Sequence, residues 1–172
     1  MDHFAKPEDE LSIAQKNRTL HRNFQGYSTK AGSDLYGFGM SSISHFGTTY
    51  AQNAKTLREY YDAIDVGNFA THAGYRMSID DRVRKYVIMR LMCDLVLDTG
   101  ELRDKFAVEF ESYFSNSLEK LDPLIHDGLI TRGDDGLRVT AAGRMFLRNI
   151  AMCFDAYNGE LRKERPLYSR TV

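Results

Sequence analysis

Tryptophan is absent from the 172 residues, and there are only three prolines and two cysteines. No Cys-x-x-Cys and no His-x-x-x-His occurs, so the commonest short-range metal-ligand spacings are missing and no metal site is expected of this chain. Cys93 and Cys153 each stand alone in an apolar helical pattern. They read as reduced core residues, which suits a cytoplasmic protein. No apolar run is long enough to span a bilayer. The opening Met1-Asp2-His3-Phe4-Ala5-Lys6-Pro7 lacks the basic-then-apolar order of a signal peptide. Charge of one sign is also lacking. A net charge of −1 sets up no field that favours nucleic acid or an anionic membrane. What remains is 42% hydrophobic and 27% charged, the balance of a soluble globular protein. The length allows one domain with a sizeable core, or a small domain plus a piece of another.

The stretch His21-Arg22-Asn23-Phe24-Gln25-Gly26-Tyr27-Ser28-Thr29 organises the chain. Its aromatic and β-favouring residues predict a strand over 18–30, broken at Gly26 where another backbone or a ligand can come close. Gly37-Phe38-Gly39-Met40-Ser41-Ser42-Ile43-Ser44 follows, with two glycines and three serines around one Ile. Small residues beside open backbone suit the edge of a ligand pocket, where carbonyl and N–H groups orient a ligand and Ile43 covers it. The alternative is a strand, a turn and a second short strand with no ligand.

Before these, Asp2-His3-Phe4-Ala5 reads as the end of a buried strand set directly against the first methionine, as in a truncated protein. His3 either lines a site there or is simply packed or solvated. Pro7 and the acidic run after it start a helix that ends by Asn17–Thr19. After the Gly/Ser-rich piece, Leu57, Tyr60, Tyr61 and Ile64 at helical spacing predict a helix over 50–63, and 74–77 a short extended link. Ser78 with Asp81 predicts a capping box, and the domain boundary is placed there. The helix from Ile79 to Leu95 carries a core face of Val83, Val87, Ile88, Leu91, Met92 and Leu95. Arg84 falls inside that face, and is expected to pair with an acidic group across a domain interface. Further helices are expected from Glu101 and around Leu118–Ile125. A two-stranded ribbon is expected over 129–140, then a last helix with Phe146, Leu147, Ile150, Ala151 and Phe154 on one face.

Helix, ribbon, helix is the outline of a winged helix. A DNA-binding version would offer a basic helix and wing. Here the wing tip is Asp134-Asp135, and the preceding helix sets Glu119, Asp122 and Asp127 against Lys120. Phosphate would be repelled, so the module is read as packing, with no nucleic acid and no membrane as partner. The basic tail Arg162–Arg170 is either solvated, docked on the body, or a holder of an anion.

At this point the residues carry a resemblance. Leu20-His21-Arg22-Asn23-Phe24-Gln25-Gly26-Tyr27, Ser41-Ser42-Ile43-Ser44, Tyr50-Ala51-Gln52-Asn53, Asp127-Gly128-Leu129, Gly143-Arg144, Arg148-Asn149-Ile150-Ala151-Met152-Cys153-Phe154-Asp155 and Tyr168-Ser169-Arg170-Thr171 carry it, together with Met1-Asp2-His3-Phe4-Ala5 and Val139-Thr140. The chain resembles the C-terminal portion of the oxygen-independent coproporphyrinogen III oxidases (coproporphyrinogen dehydrogenases), radical S-adenosylmethionine enzymes of haem biosynthesis. The resemblance implies a [4Fe–4S] cluster held by three cysteines and a deoxyadenosyl radical made from S-adenosylmethionine. The radical takes a hydrogen from a propionate of coproporphyrinogen III, which loses CO₂ and an electron to become a vinyl. This happens on two propionates and gives protoporphyrinogen IX.

The three-cysteine motif is absent here, as is most of the expected barrel. The resemblance therefore implies an α+β fragment. Residues 1–77 would be the end of a partial β/α barrel, and 78–172 a mainly helical, winged-helix-like domain with the ribbon and the basic tail. No catalytic residue falls in it. Ile43 matches a position contacting S-adenosylmethionine, and Phe24 and Gln25 match the active-site strand. Arg22, beside them, is the candidate propionate contact. The missing N-terminal barrel portion is the implied partner, and the fragment is expected to be inactive alone. The alternative is a stand-alone module that binds a tetrapyrrole or a protein without catalysis.

Overall fold

The computed structural model describes residues 5–158. Met1 to Phe4, with His3, and the tail Arg162–Arg170 with Tyr168-Ser169-Arg170-Thr171 lie outside the described residues. In chain order the elements are α1 (Glu10–Lys16), β1 (His21–Asn23), β2 (Gly26–Ser28), β3 (Ile43–Phe46), β4 (Thr49–Asn53), α2 (Leu57–Ile64) and β5 (Thr71–Arg76). They continue with α3 (Ile79–Asp94), β6 (Val96–Asp98), α4 (Thr99–Phe106), α5 (Phe110–Tyr113), α6 (Ser115–His126), β7 (Ile130–Gly133) and β8 (Gly136–Val139). A 3₁₀ turn (Gly143–Phe146) leads into α7 (Leu147–Met152). The arrangement is mixed α+β, helices with three small antiparallel sheets among the described residues.

Two compact units emerge. Among the described residues, one joins 5–29 with 83–158. The other is Lys30–Arg82. This grouping differs from a cut at residues 77 and 78, because the early residues pack with later ones. Gln15 Nε2 donates to the Cys93 carbonyl at 2.9 Å, and the Tyr27 hydroxyl donates to the Met92 carbonyl at 3.2 Å.

The first unit has a continuous apolar core. Val83, Val87 and Leu91 from α3 meet Leu97, Leu102, Phe110, Phe114, Leu121, Ile130, Leu137, Ile150 and Phe154. Phe110, Phe114 and Phe154 pack ring to ring, with centroids 5.4–6.3 Å apart. Each ring removes a large apolar area from water, so this trio anchors the unit. The ribbon forms as expected, but it has a third strand: the sheet order is β6-β8-β7. Leu95 ends α3 with φ 63°, a left-handed conformation unusual for a branched residue, and turns the chain into β6. The apolar spacing had carried the helix through Leu95, since no glycine marks the stop.

The second unit is a three-stranded sheet, β3-β4-β5, with α2. Here the expected helix over 50–63 is corrected. Residues 49–53 form β4, hydrogen-bonded on one side to β3 and on the other to β5. The helix starts only at Leu57, where the Thr56 hydroxyl accepts from the Glu59 N–H. The extended link at 74–77 belongs to a longer strand, β5. Leu57, Tyr61 and Ile64 keep their shared face, but it is exposed. The capping box is present: Asp81 accepts from the Ser78 N–H at 2.7 Å, and the Ser78 hydroxyl accepts from the Asp81 N–H at 3.1 Å.

Arg84 donates to the Phe154 carbonyl at 3.1 Å and lies over the Phe114 ring. A carbonyl and a π face thus receive the guanidinium within the core of its own unit. The last helix is shorter than its periodicity suggests. Residues 143–146 form the 3₁₀ turn, and Phe146 is 47% exposed. Among the described residues no helix is long and apolar enough to cross a membrane.

Candidate functional site

The stretch expected as one strand over 18–30 folds as a hairpin, β1 against β2, with Phe24 and Gln25 as its two-residue turn. Asn23 makes the turn. Its side-chain oxygen accepts from the Gln25 N–H at 2.8 Å and the Gly26 N–H at 3.2 Å. Gly26 has φ 141°, a conformation that a side chain disfavours. Phe24 and Gln25 are therefore lifted out of the ladder, and Phe24 is 49% exposed. Arg22 and Tyr27 face each other across the hairpin, with the guanidinium carbon 5.5 Å from the ring centre. Arg22 Nε is buried and has no hydrogen bond among the described residues. His21, beside it, is pushed below the usual histidine range, first by burial and then by the nearby Lys85 and Arg90 charges. The first unit thus holds Arg22, Phe24 and Gln25 on one small hairpin.

Ile43 opens β3 in the second unit, paired in register with Gln52. The Gly/Ser-rich segment before it is strapped to β4. Asn53 Nδ2 donates to the Gly39 carbonyl at 3.0 Å, Gln52 Nε2 to the Ser41 carbonyl at 3.2 Å, and the Ser41 N–H to the Ala54 carbonyl at 2.7 Å. Ser44 Oγ accepts from the Gly37 N–H and the Ser42 hydroxyl donates to the Gly39 carbonyl. The hydroxyls and glycines are thereby used in building the loop itself. A Cβ on Gly37 would sit 2.8 Å from the Ile43 carbonyl, so only glycine lets the two segments close together. Ile43 is left half-buried, an apolar side chain on a fixed backbone.

The described residues do not fit a cluster held by three thiolates. Cys93 and Cys153 are both free and buried. Burial, then the neighbouring Asp94, pushes the Cys93 thiol up to about 12, and burial also raises Cys153. No group of three His, Cys, Asp or Glu among the described residues is arranged to hold a metal ion.

One pairing, Arg18 with Glu101, had no signal in the sequence, whereas the nearby Arg90 and Asp94 stand at the helical i, i+4 spacing. Arg18 reaches across to Glu101, bidentate at 3.1 and 3.2 Å, and the Tyr86 hydroxyl donates to the same carboxylate at 3.1 Å. Arg90 Nη1 lies 2.7 Å from Asp94 Oδ2. Arg18 and Glu101 are 83 positions apart, so no local spacing could announce them.

Residues 77–146 match the HemN C-terminal domain family. The chain is 48% identical over 176 aligned residues to an oxygen-independent coproporphyrinogen III oxidase of Synechocystis sp., covering 100% of this chain and 38% of that protein. It is 46% identical over 157 residues to the protein of that name from Escherichia coli, covering 91% of this chain and 34% of that one. A solved structure described as coproporphyrinogen III oxidase (HemN) from Escherichia coli, a radical SAM enzyme, superposes with a TM-score of 0.88 at 46% identity, over 91% of this chain and 36% of that one. The chain thus spans little more than a third of these relatives' length.

Proposed function

We propose, from the premise that this chain belongs to the family of the oxygen-independent coproporphyrinogen III oxidases, that it acts as the C-terminal part of such an oxidase. The whole would decarboxylate two propionates of coproporphyrinogen III oxidatively to vinyls. The observation that carries the reading is identity of 46–48% sustained over 91–100% of the chain, with both site motifs inside it. Residues 1–77 would belong to the end of the catalytic barrel and 78–172 to a winged-helix-like domain, with residues 5–29 packing with the latter. A cytoplasmic setting is supported by two thiols kept free.

S-adenosylmethionine and the [4Fe–4S] cluster supply the radical chemistry of the intact family. The cluster would be held by the part of the relatives that this chain does not span, and the chain's own residues bind and orient. Ile43 covers the adenosyl group with apolar contact, and Phe24 forms pocket wall. Gln25 offers an amide to a ligand. Arg22, whose Nε has no hydrogen bond among the described residues, meets a substrate propionate.

The test is a chimera in which this chain replaces the matching segment of the Escherichia coli oxidase, assayed for decarboxylation after cluster loading. Activity is expected, with a large loss on Gln25→Ala or Arg22→Ala. A folded, cluster-loaded chimera with no activity overturns the reading. The chain alone is expected to give neither iron–sulfur absorbance nor CO₂. Turnover by the chain alone would contradict its role as a part. Saturable one-to-one porphyrin binding by the chain alone would favour the stand-alone module instead.

A further inference from the structure

Asn53 closes β4 with a task that the strand ladder does not require. The ladder slips between Gln52 and Asn53, an irregularity of the kind that re-aims a side chain. The Asn53 amide nitrogen donates twice into the loop ahead of Ile43, to the Gly39 carbonyl at 3.0 Å and to Ser42 Oγ at 3.1 Å. Its backbone N–H donates to the Ser42 carbonyl at 3.0 Å, and the Ser42 hydroxyl donates on to the Gly39 carbonyl at 2.8 Å. The loop needs this support. Gly39 and Ser41 have φ 93° and 58°, and Ser41 carries a Cβ into the left-handed region. Such a conformation persists where neighbouring bonds over-determine it. Ile43 follows directly on this segment.

We infer that Asn53 is a positioning residue for the S-adenosylmethionine contact: its amide holds residues 39–42 so that Ile43 presents one fixed surface to the adenosyl group. The role rests on Ile43 being that contact. Asn53 acts through Ile43 rather than by touching the ligand. Ordering the loop before the ligand arrives removes an entropic cost from binding, and that saving is read as affinity. Gln52 Nε2 also reaches the loop, at the Ser41 carbonyl, but from an exposed position where water can replace the bond. The Asn53 bonds are partly buried, so their acceptors would be left short of donors without it.

The experiment is equilibrium dialysis of S-adenosylhomocysteine, a non-reacting analogue, against the full-length chimera with the Escherichia coli oxidase, with the unfolding midpoint measured alongside. Asn53→Ala should raise Kd about tenfold, as the loss of two partly buried hydrogen bonds requires. Ile43→Ala should raise it too, and the double variant should go no further than the larger single effect, because one residue acts through the other. A purely structural Asn53 would instead lower the unfolding midpoint and the bound stoichiometry, leaving the Kd of the folded fraction at the wild-type value. If Asn53→Ala does not fold, Ser42→Ala decides, with a rise of about threefold expected. Wild-type Kd in the folded variant, or effects that add to those of Ile43→Ala, overturn the inference while the wild-type chimera still binds. A folded wild-type chimera that does not bind overturns the reading of Ile43 itself, and the role of Asn53 with it.

Discussion

At the residue scale, burial governs what the titratable side chains can do. Cys93 is fully buried and held mainly by burial at about 12, so its thiolate is scarce at neutral pH. Native protein should therefore leave both cysteines unmodified by a thiol reagent until it opens, with reaction rates following unfolding. Fast labelling of Cys93 in folded protein would contradict its burial. His21 gives a pH signature. Its folded pKa lies below the ordinary histidine value, so the unfolded chain takes up a proton first as pH falls. Stability is constant above about pH 6.5 and is lost below it, down to the folded pKa. Denaturant midpoints measured from pH 7.5 to pH 5 should fall, and His21→Gln should flatten the slope. The cysteines could be assigned from the sequence as buried and reduced, because they sit in apolar helical patterns. The His21 environment could not, since it depends on Lys85 and Arg90 from a distant helix.

At the element scale, the small residues at close contacts matter most. Gly143 lies where a Cβ would overlap the Leu129 carbonyl, and Thr140 on the same corner accepts from the Gly143 N–H while its hydroxyl reaches the Gly128 carbonyl. Gly143→Ala should cost about 1–3 kcal/mol of unfolding free energy, the usual range for overpacking. A neutral result in chemical denaturation would mean that the corner can shift. The long helices and the ribbon were readable because their periodicity and caps agreed, as at Ser78 and Asp81. The hairpin at 21–28 was not, because Asn23 makes a turn inside a β-favouring run. Strand β6 was missed for the opposite reason. Val96 and Leu97 continue a helical apolar pattern, and only Leu95 in a left-handed conformation breaks it. Of the candidate site, the family motifs proposed Arg22, Phe24, Gln25 and Ile43, but the placement of Phe24 and Gln25 in a turn was not legible.

At the scale of the whole molecule, the two units differ in how they hold themselves together. The first has a core of large side chains. The second, Lys30–Arg82, buries only Ala54 and Ala70 among its apolar residues, while Phe38 and Phe69 are 90% and 93% exposed. Phe69→Ser should therefore change the unfolding free energy of this chain by less than about 0.5 kcal/mol. A loss above about 1 kcal/mol would show the ring to be packed in solution. Relatives nearly three times as long share this segment. Strand β5 adds a practical consequence. All six of its residues are exposed, and it stands at the end of its sheet order. Such a rim is a template for strand addition, and Gly74 and Arg76 are its only evident brakes. Concentrated stocks of the isolated chain should then fail by fibrillar self-templating before they fail by melting, and a thioflavin signal would mark the shelf life of the preparation.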